Sequence, residues 1–157
     1  MPDIDPRLEH LLNGRHVATL GVSRPDGSLQ LTPVWYLWED GALWVPTSSE
    51  AAKTKHAAAS GKAALMIDSR ERGPLRGATT DGPCEIVGGE QAAALNRRIG
   101  FRYLSAEAMA DPRVWEPMKI RDDVVLRITP QRWYRWDMEE WFGGVLETPG
   151  YLLPLVD

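Results

Sequence analysis

The residues best suited to chemistry lie in one stretch, Trp44-Val45-Pro46-Thr47-Ser48-Ser49-Glu50-Ala51-Ala52-Lys53-Thr54-Lys55-His56. An apolar strand over residues 42–45 is expected to run out at Pro46. Three hydroxyl residues follow, and a helix is expected over 51–59, ending near Gly61. Ser or Thr at a helix start caps the first backbone N–H groups. Those N–H groups and the positive end of the helix dipole favour an anion. Lys53 and Lys55 put two ammonium groups within about one turn of that end. With Thr47, Ser48 and Ser49 as hydroxyl donors, the stretch can hold a phosphate. The same residues also spell an ordinary strand, cap and helix with two exposed lysines, so the flanking sequence has to decide.

The rest of the chain shows no Ser-His-Asp set and no paired carboxylates. Tyr36, His56 and Arg76 are the side chains that can move a proton or orient a substrate, and each also suits a plain structural or surface role. Gly77 permits close backbone approach beside Arg76. Cys84 reads as a small core residue, with nothing nearby to activate a thiolate. His10, His16 and His56 lack metal-ligand spacing. Trp133 and Trp136 are read as two aromatics on one face of a strand, able to pack against a ring or to close a barrel or a dimer.

Composition narrows the function classes. The chain has 157 residues, 43% hydrophobic and 25% charged, which suits one globular domain over 1–157. A net charge of −4 argues against general attraction to nucleic acid or to anionic membrane, so any anion site is local. No run is long and apolar enough to span a bilayer. A single cysteine allows no internal disulfide, and a cytoplasmic location is expected.

The elements that must position these residues follow from turn and periodicity signals. A helix is expected over 4–13, with Asp5 as cap, Pro6 in the first turn, Gly14 as stop, and Leu8, Leu11 and Leu12 on one face. Strands are expected over 16–23, 29–38 and 42–45, joined at Pro25-Asp26-Gly27-Ser28 and Glu39-Asp40-Gly41. Short turns make these strands antiparallel neighbours. Pro33 cannot donate to a ladder and marks an edge, a bulge or a ligand approach. Further strands are expected over 63–68, over 76–87 with an interruption near Gly82-Pro83, and over 124–128; residues 132–136 continue or return the last. A helix is expected over 90–104 with Ala93, Ile99 and Tyr103 partly on one side. Residues 106–118 form a helical segment limited by Pro112 and Pro117. The tail from Asp137 has no clear period. Six strands with few crossover helices imply a closed or nearly closed antiparallel barrel.

The order of these motifs resembles the pyridoxamine 5′-phosphate oxidase-like family, the split β-barrel flavin and deazaflavin oxidoreductases. The resemblance rests on Pro25-Asp26-Gly27, Pro33-Val34-Trp35-Tyr36, Asp40-Gly41, Pro46-Thr47, Lys53 with His56 three later, Pro74-Leu75-Arg76-Gly77, and Val124-Leu126-Ile128-Thr129-Pro130 before Trp133 and Trp136. It covers roughly residues 8–136, leaving 137–157 as a tail. It implies a mainly β, six-stranded antiparallel split barrel. It also implies a homodimer that binds FMN, or alternatively the deazaflavin F420, at the subunit interface and transfers hydride to or from a small molecule. The implied cofactor residues are Thr47, Ser48 and Lys53 at the phosphate and Pro33, Val34 and Trp35 along the ring, with Lys55, His56 and Arg76 nearby. The chain departs from the family pattern at Ala52, where a basic residue is usual, and at His56, where Asn is usual. It lacks a C-terminal pyridoxal phosphate signature, so vitamin B6 oxidation is not the first expectation. A non-catalytic flavin carrier on the same barrel is the alternative. Arg70, Arg72 and Arg76 form a basic loop that could meet the acidic tail of F420, the solvent or the partner subunit.

Overall fold

The computed structural model describes residues 4–69, 76–145 and 148–151. Arg70, Arg72 and most of the expected basic loop lie outside them. Helix α1 (Pro6–Asn13) begins as its residues dictate. The Asp5 carboxylate accepts the Arg7 N–H at 2.8 Å, Pro6 occupies the first helical position, and Leu8, Leu11 and Leu12 are buried. Strands β1 (Ala18–Ser23) and β2 (Leu29–Val34) form an antiparallel hairpin. Gly27, at φ 83°, takes the left-handed position of its turn.

The strand expected over 29–38 does not run through. β2 ends at Val34, and β3 (Leu37–Glu39) pairs instead with β4 (Ala42–Thr47) in a second layer. The two residues between them are held by distant partners. Tyr36 is fully buried, with its hydroxyl 3.2 Å from the Gly14 carbonyl. Trp35 stacks on Tyr103, ring centroids 4.9 Å apart and planes 2° from parallel. The Tyr103 hydroxyl donates to the His16 carbonyl at 2.8 Å and accepts the Tyr36 N–H at 3.4 Å. Two large rings anchored in this way turn the chain from one sheet layer into the other.

β4 also departs from expectation: it does not stop at Pro46 but continues to Thr47. Pro46 pairs with Val125 of β7 (Val124–Ile128), beyond the last β3 pair at Trp44. There the strand has a neighbour on one side only, and a missing N–H is tolerated. Helix α2 (Ala52–Ser60) follows and stops at Gly61, in the left-handed conformation at φ 65°.

The remaining strands are β5 (Lys62–Asp68), β6 (Arg76–Val87) and β8 (Arg132–Asp137). The sheet order is β2-β1-β5-β6-β7-β4-β3, with β8 also on β6, and all pairings are antiparallel. β6 is continuous rather than interrupted at Gly82-Pro83. Its first half lies between β5 and β8, and from Cys84 it pairs with β7. At the change of partner a Cβ on Gly82 would run into the Thr129 carbonyl oxygen, so only glycine fits. The described residues therefore form an eight-stranded split barrel, not a six-stranded one. The two extra strands come from the break after Val34 and from β8, a separate strand.

One cluster fills the barrel, including Leu20, Leu43, Val45, Leu65, Ile67, Leu126 and Ile128, all essentially inaccessible. A smaller cluster joins Ala42, Trp44 and Val125 to helix α3 (Gly89–Tyr103) through Ala92, Leu95 and Ile99. The buried face of α3 thus includes Ala92, and Ala93 is exposed. The segment expected over 106–118 is two helices, α4 (Ala106–Ala110) and α5 (Pro112–Arg121). Asp111 caps the second by accepting the Arg113 N–H at 2.9 Å, Pro112 takes the first turn, and Pro117 is accommodated inside it. Trp133 and Trp136, three residues apart, point to opposite faces of β8. Trp133 meets Trp38 edge-on at 6.0 Å, and Trp136 covers the Gly77 backbone. The tail opens with a short helix, α6 (Met138–Phe142). Among the described residues no helix is long and apolar enough to cross a membrane.

Candidate functional site

Where β2 leaves its sheet, an open groove of about 350 Å³ runs between the end of the strand, the first turn of α2 and the end of α5. Pro33, Val34 and Trp35 form one wall. Lys53 comes from α2, Met118 and Asp122 from α5 and its cap, and Val17 and Pro46 complete it. Four of the residues singled out in the sequence, Pro33, Val34, Trp35 and Lys53, thus converge although up to twenty positions separate them. Among the described residues no side chain bonds or pairs with the Lys53 ammonium. Trp35 is half-buried, with one face stacked on Tyr103.

Asp122 faces the same groove. Burial raises its carboxyl above the usual carboxylate range, against the opposing charge of Lys53. Neither Asp122 nor Met118 stood out in the sequence. Both sit at the end of α5, whose register the two prolines obscure. The only sequence signal was the Asp122-Asp123 pair immediately before an apolar strand.

The hydroxyl cradle expected at the turn is engaged internally. Thr47 is 1% exposed, and its Oγ1 lies 3.0 Å from that of Thr54. Thr54 donates its own proton to the Ser48 carbonyl at 2.7 Å, so the Thr47 proton is the one shared between the two hydroxyls. Ser49 donates both its N–H and its hydroxyl to the Asp123 carboxylate, at 2.7 and 2.6 Å. These bonds hold the Asp123 carboxyl below the usual range. An anion does sit at this turn, but it belongs to the chain. The N-cap position is Ala51, with no side-chain cap. Ser48 Oγ accepts the Glu50 N–H at 3.2 Å.

The other candidates lie apart from the groove. The Lys55 ammonium pairs with Glu50 at 2.8 Å, exposed. His56 Nδ1 is 3.0 Å from Gln30 Oε1, half-buried. Arg76 pairs with Asp137 at 3.3 Å and lines a different groove of about 680 Å³ with Arg135, Trp136 and Glu140. The backbone approach at Gly77 is made by the Trp136 indole. The Tyr36 hydroxyl is sequestered in the core, and burial raises its pKa further. Burial likewise pushes the Cys84 thiol up to about 11, which leaves no thiolate at neutral pH.

An antiparallel barrel split into two layers by a shared long strand, with a ligand-sized groove where a strand leaves the sheet, defines a split β-barrel protein. The sequence profile described as pyridoxamine 5′-phosphate oxidase matches residues 4–137, and the chain belongs to that family. A conserved hypothetical protein from Mycobacterium tuberculosis superposes with a TM-score of 0.72 at 24% identity, over 98% of this chain and 91% of that one. An F420 reductase gives 0.66 at 23% identity, over 80% and 94%. HutZ, a heme storage protein from Vibrio cholerae, gives 0.63 at 13%, over 83% and 92%. At these identities the likeness is one of fold. No curated protein matches the chain in sequence.

Proposed function

We propose that the chain is a single-domain, cytoplasmic flavin-binding oxidoreductase that takes FMN in the Pro33–Lys53 groove and works as a homodimer. The observation that carries this reading is the convergence on one groove of Pro33, Val34 and Trp35 with Lys53, whose ammonium makes no ion pair or hydrogen bond among the described residues. A proline-interrupted strand end offers backbone to a flat ring, Trp35 offers an aromatic wall, and Lys53 offers a cation to a phosphate. When bound, the cofactor supplies the hydride chemistry itself. The chain binds and orients it, limits access of water, and can hold a proton on the Asp122 carboxyl.

Dimer formation is supported by the outer face of β2. This is an edge strand, and Leu29 and Leu31 are 64% and 67% exposed on the same face as Pro33. An exposed apolar row on an unpaired edge suits a second copy of the chain. That copy would also lie beside the groove, because Pro33 and Val34 of the same strand line it.

F420 is the alternative cofactor. Its acidic tail runs past the phosphate, and Asp122 puts a carboxyl group beside Lys53, which favours the shorter FMN. The test is the absorption spectrum and mass of any ligand retained on purification, followed by turnover with NAD(P)H or reduced F420. An FMN spectrum with turnover supports the reading. A retained flavin without turnover leaves a carrier, and failure to bind either cofactor overturns it.

A further inference from the structure

α3 and α5 diverge beside the groove already described and enclose a second one of about 460 Å³, lined by Asn96, Arg97, Trp115, Met118 and Asp122 among others. Met118 and Asp122 belong to both grooves and form the wall between them. Two polar groups of the second groove, the Arg97 guanidinium and the Asn96 Oδ1, have no ion-pair or hydrogen-bond partner among the described residues. The Arg97 guanidinium lies 5.3 Å from the Phe101 ring centroid and 5.5 Å from that of Trp115, and no carboxylate among the described residues pairs with it. Its neighbours behave differently: Arg98 pairs with Glu39, Arg113 with Asp111 and Lys119 with Glu116. Stacking fixes the plane of a guanidinium and leaves its N–H edge free for a carboxylate.

Asn96 is the second feature. It is 6% exposed, its Nδ2 donates to the Asp122 carbonyl, and its Oδ1 has no hydrogen-bond donor. A buried acceptor without a donor is costly, and because this oxygen is closed off from solvent, a donor from a ligand reaches it only when the groove wall opens at Asn96. Trp115, half-buried, and Met118 line the same groove, a flat ring and a thioether that pack against an aromatic body.

We infer that the α3–α5 groove is a binding site for a small hydroxylated aromatic acid, with its carboxylate on Arg97, its ring against Trp115 and Met118, and its hydroxyl directed at the Asn96 end. Its place as a substrate compartment, next to the cofactor across Met118 and Asp122, rests on the flavin reading above. The binding site itself does not.

The experiment is calorimetric titration of 6-hydroxy-2-naphthoate into the full chain, with and without saturating FMN. It is repeated with 2-naphthoate, with 6-hydroxy-2-naphthamide, and with the Arg97→Ala, Arg97→Lys and Lys53→Ala variants. The expected result is at least tenfold weaker binding of the amide to wild type and of the acid to Arg97→Ala, with partial recovery in Arg97→Lys and no change in Lys53→Ala. Loss of the hydroxyl weakens binding severalfold. Equal binding of acid and amide, or no effect of Arg97→Ala, overturns the site. Mutually exclusive binding of FMN and the naphthoate overturns its place as a separate compartment. If FMN does not bind but the naphthoate behaves as described, the flavin reading fails and the acid site stands.

Discussion

Lys53 and Asp122 face one groove with opposite charge preferences, and in the proposed site their balance would set how an anion binds. Burial favours the neutral Asp122 carboxyl, and so does Asp123, whereas Lys53 and Arg121 favour its ionised form. A bound phosphate adds a negative charge beside it, so the pKa of Asp122 in the complex is higher than in the free protein. Proton uptake on binding follows. If the groove takes FMN as proposed, affinity is expected to be highest where Asp122 is already protonated and to fall as pH rises through that titration. Calorimetry in two buffers of different ionisation heat measures the uptake directly. Asp122→Asn is expected to abolish it, flatten the pH profile and tighten FMN binding at neutral pH by roughly tenfold, about 1.4 kcal/mol. An unchanged pH profile in that variant would place Asp122 away from the phosphate.

β6 is the element on which both layers depend, because it pairs with β5, β8 and β7 in turn. Gly82→Ala puts a methyl group against the Thr129 backbone, which cannot move without disturbing the strand exchange. A loss of about 1–3 kcal/mol is expected, at ~2–4 °C per kcal/mol in a chain of this size, readable by thermal denaturation. Gly61→Ala gives a control of a different kind, since its Cβ meets nothing and only the left-handed backbone resists it. Most elements were legible in the chain because their causes are local: the Asp5-Pro6 start of α1, the Asp26-Gly27 turn, the Gly61 stop of α2. The break at Trp35-Tyr36 was not, because its causes, Gly14 and Tyr103, lie far away in sequence. For the same reason the hydroxyls at 47–49 looked free. Thr47 is bonded to Thr54 and Ser48 to the Glu50 N–H, and the partner of Ser49, Asp123, is 74 positions on. The site shows the same division: Pro33, Trp35 and Lys53 could be read from motif order, whereas Met118 and Asp122 arrive from a helix whose prolines hid its phase.

For the molecule as a whole, the groove is lined by Pro33 and Val34 at the end of the edge strand β2, so assembly and cofactor binding should be linked. Leu31→Glu places a charge in the exposed apolar row without touching the barrel core. Light scattering is expected to show a monomer with an unchanged circular dichroism spectrum, and FMN affinity is expected to drop with it. A Leu31→Glu dimer would move the interface elsewhere. In the proposed complex Lys53 holds the cofactor phosphate while Pro33, Val34 and Trp35 line its ring. The decisive measurement is titration of FMN into wild type, Lys53→Ala and Lys55→Ala. A loss of about 1.5–3 kcal/mol is expected for Lys53→Ala, ten- to hundredfold in affinity, and little change for Lys55→Ala, whose ammonium already pairs with Glu50. Wild-type affinity in Lys53→Ala would contradict it.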